Sequence, residues 1–493
     1  MLGKDCAVEK GHDIVIQDGT IAAVAPDINP GFYNVEKIVD GNNKFVVPGF
    51  VNAHLHSHDR FDKGRFDTLP LEIWMSLYNP PLGSRNLTPD ECYLRTALNC
   101  LDLIKSGTTM VIDDVVHGFP LNRDNIDAVF QAYEESGLRA LVSIAYGDRP
   151  FPKTIPYLDE LLPDNLKLEI ANSASASPQQ ILDLWTEYGK HKRGRVGFFL
   201  SPYGPQRCTD EFMAKAWDLS KELDLTVFLH VLETKVQQVT GHLFYGKSIL
   251  EHMKSIGTLT PKTNLIHMVW VTDSDIKLVA DSGASIVYNP ASNLKLGSGI
   301  APVEKFLNAG INVSIGTDNN NANDNANMLE AIKFGALVNT MRTFTYEDWL
   351  DAGSMIRCAT LGGARCAGLE SEIGELSPGK KADFSVFRLD TSTFCPANSL
   401  LRQLVFCENG ESLDMVVVDG KILMEDNKVV SLDERALLEK AMENSDKLMT
   451  KIKEASARGK ELEPYLRKAY RRCVAEGEQY PAFGGKYYPH AAS

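Results

Sequence analysis

Long apolar runs are missing from this chain. None reaches the roughly 20 residues that a membrane-spanning helix needs. Paired cysteine is missing too. The nine cysteines are scattered, odd in number and without a Cys-x-x-Cys pair, which points to reduced thiols rather than a disulfide or zinc framework. Positive charge is short: 51 Lys and Arg stand against 65 Asp and Glu, a formal charge of −14. That balance argues against nucleic acid or an anionic membrane as a partner. The opening Met1-Leu2-Gly3-Lys4-Asp5-Cys6 has no apolar signal core. The expectation is a cytoplasmic protein that meets small molecules. No repeat or low-complexity segment stands out beyond an asparagine cluster at 319–327.

What is present suits a large soluble fold. The 493 residues are 44% hydrophobic and 24% charged, ordinary values for a globular chain. The length fits a barrel of about 250 residues with a satellite domain. Near the N-terminus, 13–24 reads as strand, Asp18-Gly19 turn, strand, a strong hairpin signal. The same texture returns at 415–424, around Asp419-Gly420, after a strand-like stretch at 379–387. Between them, apolar strands alternate with amphipathic helices. The strands are expected at 45–54, 108–114, 140–144, 196–200, 226–230, 264–267, 284–288 and 312–318. The helix at 88–105 opens on Thr88-Pro89-Asp90-Glu91, a cap with proline at the first helical position. Eight strand–helix units predict an α/β fold with a (β/α)8 TIM-like barrel. The expected organisation is a composite β-sandwich from 1–47 and 374–430, the barrel at 48–373, and a helical tail at 431–493. The charge-rich tail reads as a solvated or dimer-packing helix.

In such a barrel, chemistry sits at the carboxyl ends of the strands. The first strand ends in His54 and His56, and side chains at i and i+2 point to the same side. Alone, that doublet is as readily two polar residues on a strand face. The fifth strand ends in His230, the sixth in His267 and the eighth in Asp318. Three imidazoles and a carboxylate form the ligand set of a borderline divalent metal with a position left for water. Glu233 follows His230 by three residues. It is placed either to move protons beside an activated water or simply to favour a helix N-terminus.

These stretches resemble the amidohydrolase superfamily. They are Pro48-Gly49-Phe50-Val51-Asn52-Ala53-His54-Leu55-His56, His230-x-x-Glu233-Thr234, His267, Asn289-Pro290-Ala291-Ser292-Asn293 and Gly316-Thr317-Asp318. The nearest group is the cytosine deaminase-like and s-triazine hydrolase branch. Gly374 to Asp383 resembles that family's return into its β-sandwich. The resemblance implies one divalent metal per chain, Zn2+ or alternatively Fe2+, held by His54, His56, His230 and Asp318. Asp318 would also take a proton from the attacking water. Glu233 would pass a proton to the ring nitrogen and help expel the leaving group. His267 would hydrogen-bond the activated water or the tetrahedral intermediate. Homo-dimers or tetramers are implied as well.

Several positions depart from the family pattern. Strand four ends in Leu200-Ser201-Pro202-Tyr203-Gly204-Pro205-Gln206 without lysine, which favours a mononuclear site. Tyr203 and Gln206 stand where purine-type members place a histidine that grips substrate. Tyr288 precedes Asn289-Pro290 where a histidine is common. Trp74, His117 and Asn319 are further candidate substrate contacts, although His117 reads equally as a satisfied buried histidine. The charged loop 58–67 could bind polar substrate groups or form salt bridges. The expected reaction is hydrolytic deamination of a pyrimidine, purine, pterin or triazine. Cleavage of another C–N, amide or C–Cl bond is the alternative, ahead of a non-catalytic scaffold.

Overall fold

The computed structural model describes residues 1–82, 85–118, 121–173, 176–192 and 194–483. Its centre is a set of eight parallel strands: β1 (Phe50–His56), β2 (Thr108–Asp113), β3 (Arg139–Val142), β4 (Val196–Phe198), β5 (Val227–Val231), β6 (Thr263–His267), β7 (Ser285–Tyr288) and β8 (Val313–Ile315). β1 to β4 pair in sequence order, and so do β5 to β8. Leu200, just beyond β4, bridges to Val227 of β5. Asp318–Asn319, just beyond β8, pairs in parallel with Leu55 and His56 of β1. These pairings run round the barrel and back to β1. Its interior is filled by Val51, Ala53, Met110, Ile112, Phe199, Phe228, Ile266 and Val287, closed below by Ala364, Cys366 and Ala367.

The helices between strands form where caps and apolar spacing demand them. Thr88 and Glu91 make a full capping box on Pro89–Ile104, the arrangement their spacing predicts. Asn327 caps Met328–Asn339 by accepting from Leu329 and Glu330. Elsewhere in the asparagine cluster, Asn323 Nδ2 donates to the Thr317 carbonyl at 2.9 Å and Asn325 Nδ2 to Glu330 Oε1 at 2.9 Å.

Both chain ends build the β-rich part. Lys44–Pro48 pairs antiparallel with Phe384–Arg388, followed in the sheet by Leu413–Val418, Lys421–Glu425 and Lys428–Val429. Asp13–Gln17 and Thr20–Ala25 form a separate hairpin. Both Asp-Gly turns take positive φ at their two central residues, as type I′ turns require. A buried ion pair, Arg139 Nε to Asp383 Oδ2 at 2.8 Å, joins this sheet to the barrel. All nine cysteines are free thiols. No helix among the described residues is long and apolar enough to cross a membrane.

The C-terminal helices differ from expectation. Glu434–Glu443, Ser445–Lys460 and Glu463–Glu476 pack on their own chain rather than standing in solvent. Leu462, Leu466, Ala469 and Cys473 recur at helical spacing and share a core with Ile73, Leu77, Leu158 and Val239. Residues 484–493 of the expected tail lie outside the described residues.

Candidate active site

The two histidines of β1 reach the mouth of the barrel through an irregularity. Asn52 opposes Val111 and Leu55 opposes Asp113, so β1 carries one residue more than β2 over that stretch. Such a bulge re-aims the side chains beyond it. Below it, Val51 and Ala53 fill the barrel core. Above it, His54 and His56 face the strand ends and Leu55 turns to the outer core. Asp318 is brought alongside by its pairing with β1 and by Asn52, which accepts from Thr317 N at 3.0 Å and donates to Thr317 Oγ1 at 2.7 Å. Gly316 makes this approach possible. A Cβ there would lie 2.8 Å from His54 Cβ and 2.5 Å from Asn289 Oδ1.

Hydrogen bonding fixes which ring nitrogens are free. His56 donates through Nδ1 to the carbonyl of Asp114 at 2.5 Å. His230 donates through Nδ1 to the carbonyl of Tyr203 at 2.8 Å. Their Nε2 atoms, both left as lone pairs, then face each other at 3.3 Å. Asp318 Oδ1 lies 3.3 Å from His54 Nε2 and 3.4 Å from His56 Nε2. Both ring nitrogens of His54 and Asp318 Oδ1 are buried without a hydrogen-bond partner. A buried carboxylate oxygen and imidazole nitrogens gathered without partners are what a cation satisfies. The residues therefore fit a divalent metal.

Asp114 is an addition that the sequence reading missed. One of its oxygens groups with ligand atoms of His54, His56 and His230, all within 4.8 Å of one another. Its Oδ2 lies 4.0 Å from His230 Nδ1, and its Oδ1 accepts from Ser143 Oγ at 2.6 Å. The signal was the acidic doublet Asp113-Asp114 at the end of β2. Asp113 instead holds the loop after His56, accepting from Ser57 N at 2.8 Å and Tyr133 Oη at 2.9 Å.

The proton-handling groups lie next to this cluster. His267 Nδ1 bonds Asn293 Oδ1 at 2.9 Å, which frees Nε2 toward Glu233 Oε2 at 3.5 Å and Asp318 Oδ2 at 3.9 Å. Ser292 Oγ donates to that same Asp318 Oδ2 at 2.6 Å. Burial, with the Asp318 and Glu72 charges nearby, pushes the Glu233 carboxyl well above the usual carboxylate range. Burial disfavours a charge on Asp318, but the neighbouring His54, His267 and His56 hold it well below its usual value. Burial brings His267 down to about 4. Burial and the neighbouring His54, His56 and His267 hold His230 well below the usual imidazole value. Burial disfavours a charge on His56, but the Asp318, Asp114 and Asp59 charges raise it above the usual imidazole value. The site thus favours an ionised Asp318, neutral His230 and His267, and a protonated Glu233. Two carboxyls pushed apart by environment mark a base and an acid.

Strained backbone concentrates here. Tyr203, Leu232, His267, Met268 and Asp318 all have positive φ, between 39° and 79°, a conformation disfavoured for side-chain-bearing residues and kept where geometry matters.

The cavity over the cluster holds about 30 Å3, room for water. Trp74, Tyr203, Gln206 and Asn319 line it, with Met75, Tyr78 and Arg207. His117 does not. It lines a second chamber, whose wall Tyr78 shares with the catalytic cavity. The 58–67 loop forms salt bridges: Lys63 with Asp102 at 3.0 Å, Arg60 with Asp102, and Arg65 with Asp62.

Residues 45–423 match the amidohydrolase family. The chain belongs to that family. A 5-methylthioadenosine/S-adenosylhomocysteine deaminase of Thermoanaerobacter pseudethanolicus is 32% identical over 439 residues, 88% of this chain and 93% of the relative. An adenosine deaminase from Xanthomonas campestris with bound zinc superposes with a TM-score of 0.78 at 26% identity, over 90% of this chain and 95% of that one. Atrazine chlorohydrolase from Arthrobacter aurescens TC1, complexed with zinc, superposes with a TM-score of 0.77 at 24% identity, over 89% and 95% of the two chains, a likeness of fold. The family read from the motifs is borne out. This amidohydrolase is a hydrolase of C–N bonds other than peptide bonds.

Proposed function

We propose that this amidohydrolase deaminates a purine, using water activated between His54, His56, His230 and Asp318. The observation that carries the reading is the convergence of the Nε2 atoms of His54, His56 and His230 with Asp318 Oδ1, and of Glu233 Oε2 3.5 Å from His267 Nε2 beside them. The donor set of three imidazoles and a carboxylate suits zinc. A divalent cation bound there supplies a water whose pKa falls from about 15.7 to roughly 7. The chain does the rest. Asp318 Oδ2, within hydrogen-bond reach of Ser292, takes a proton from the attacking water. Glu233 donates to the ring nitrogen next to the attacked carbon, making that carbon electrophilic. His267, held by Asn293, steadies the oxygen that adds. Asp318 then passes its proton to the exocyclic amine, the C–N bond breaks and ammonia leaves, and the hydroxyl proton of the adduct returns to Glu233 as the carbonyl forms.

The same reading keeps a cytoplasmic homo-oligomer, dimer or tetramer. Exposed Met341, Phe344, Tyr346 and Trp349 offer such an assembly an apolar patch.

Ammonia release from the zinc-loaded protein tests the reaction, across adenosine, 5′-methylthioadenosine, guanine, cytosine, a pterin and an amino-triazine. Turnover of an adenine compound above the rest is expected. Release confined to cytosine, pterin or triazine overturns the purine assignment and keeps the hydrolase.

A further inference from the structure

Glu233 is held from behind by a chain of hydrogen bonds that ends outside the catalytic cavity. Thr234 caps the helix Lys235–Tyr245 by accepting from Gln237 N at 3.3 Å. In a capping box, a glutamine at that position bonds the amide of the cap residue itself. Gln237 Oε1 instead accepts from Glu233 N, one residue earlier, at 2.8 Å. Leu232, just before Glu233, has a φ of 52°, a left-handed conformation that costs about 1–3 kcal/mol and persists only where its surroundings over-determine it. Val269 N and Trp270 N fix the Leu232 carbonyl from one side, at 3.0 and 2.8 Å. Gln237 and Thr234 fix the chain that follows.

The last link is Glu72. Thr234 Oγ1 donates to Glu72 Oε1 at 2.6 Å. Because Glu72 Oε1 accepts, the hydroxyl hydrogen of Thr234 is committed to it and a lone pair stays turned to Gln237 N. Glu72 lies in the first turn of Leu71–Tyr78, the helix that gives Trp74, Met75 and Tyr78 to the cavity wall, but it does not line the cavity itself. It is 4% exposed, and its Oε2 has no hydrogen-bond partner. A buried carboxyl left half-satisfied is costly. The packing of this helix does not require one, since Ile73 and Leu77 supply its apolar contacts with the tail. What the carboxyl gains at that cost is the bond to Thr234.

We infer that Glu72 is a positioning residue for Glu233. Through Thr234 and Gln237 it fixes the backbone from which the Glu233 carboxyl reaches the reacting ring nitrogen. The same bond ties the cavity-wall helix to the loop after β5, so that wall and acid keep one spacing. The kinetic arm of the test rests on the proton role proposed for Glu233, and the hydrogen-exchange arm does not.

Kinetics are read on the substrate turned over fastest, at the pH optimum of each variant, with the metal content of each protein measured. Glu72→Leu is expected to keep its metal and lower kcat by about 10²-fold, the cost of a displacement of about 1 Å at a reacting group. KM should stay nearly unchanged. Glu72→Gln, whose amide oxygen still accepts from Thr234, should retain most of the kcat. In a Glu233→Gln background, Glu72→Leu should cost nothing further, because residues that act as a unit are not additive. If Glu72→Leu does not fold, Thr234→Val must give the same loss of kcat. Independently of turnover, hydrogen exchange at the amides of 233–237 should speed in Glu72→Leu and not in Glu72→Gln. Wild-type kcat in a folded Glu72→Leu protein overturns the inference, as does a loss carried by KM alone. A loss undiminished in the Glu233→Gln background, or unchanged exchange, overturns it too. Faster exchange in a protein that turns over no compound of the panel keeps the tie between Glu72 and Glu233 and overturns the proposed reaction.

Discussion

His56 Nε2 and His230 Nε2 face each other at 3.3 Å. Each ring has already committed its Nδ1 hydrogen to a backbone carbonyl, of Asp114 and of Tyr203. Two lone pairs and the Asp318 carboxylate repel unless a cation lies among them. The backbone thus fixes the tautomers before any metal arrives, as second-shell partners of metal-binding histidines do.

Metal analysis of the purified protein should give about one zinc or iron per chain. Chelation should abolish turnover and lower the Tm, since a ligand that binds only the folded state stabilises it. His230→Ala should lose both the metal and the Tm response to added zinc. Full activity in a demonstrably metal-free protein would refute the site.

Glu233→Gln should keep its metal and lose about 10² to 10⁴ in kcat, the usual worth of general acid–base help. The pH profile gives a second readout. Glu233 acts as an acid, and burial raises its pKa well above the usual carboxylate range. Activity is therefore present while the carboxyl is protonated and falls as pH rises through its pKa. That alkaline limb should vanish in Glu233→Gln. A limb that survives the substitution belongs to another group.

Asn293 matters through His267. Its Oδ1 accepts from His267 Nδ1 at 2.9 Å and so keeps Nε2 turned to Glu233 and Asp318. Asn293→Leu should leave metal content unchanged and lower kcat by about 10- to 100-fold, in line with losses of outer-shell partners. KM should change far less. A rise in KM with kcat intact would place Asn293 in substrate binding instead.

The metal-site candidates were legible because they obey local rules. A histidine or aspartate at the carboxyl end of an apolar strand can be found from the sequence alone, so His54, His56, His230, His267 and Asp318 were all in view. Asp114 was hidden because its neighbour Asp113 looks the same on paper, and only the turn after β2 sends one inward and the other to Ser57 and Tyr133. The β1 bulge was equally invisible, since register belongs to the pair of strands and not to either one. His117 reads as a pocket residue until the fold puts it on the second chamber rather than the catalytic cavity. The docking of the tail depends on packing across hundreds of residues, such as the core that Leu466 shares with Ile73.

That tail carries the last prediction. Ser445–Lys460 lies beyond the family match, which ends at 423, yet it packs on Leu71–Tyr78, the helix that supplies Trp74, Met75 and Tyr78 to the catalytic cavity. Ser456 Oγ donates to the Leu77 carbonyl, and Arg65 donates to Ser456 Oγ. At Gly459 the two helices touch so closely that a Cβ would lie 1.9 Å from the Ser76 carbonyl oxygen. Backbone cannot yield there as a flexible side chain would, so Gly459→Val must shift one helix against the other. Overpacking of this kind costs about 1–3 kcal/mol in stability. The functional signature is more telling. The shifted helix carries the cavity wall but no metal-site residue, so metal content should hold while KM rises by about tenfold or more, the size of a lost binding contact. Ser456→Ala, which removes one hydrogen bond without a clash, should move KM in the same direction by less. A folded Gly459→Val protein with wild-type KM for every substrate tested would show that the tail only stabilises the barrel and does not shape its mouth.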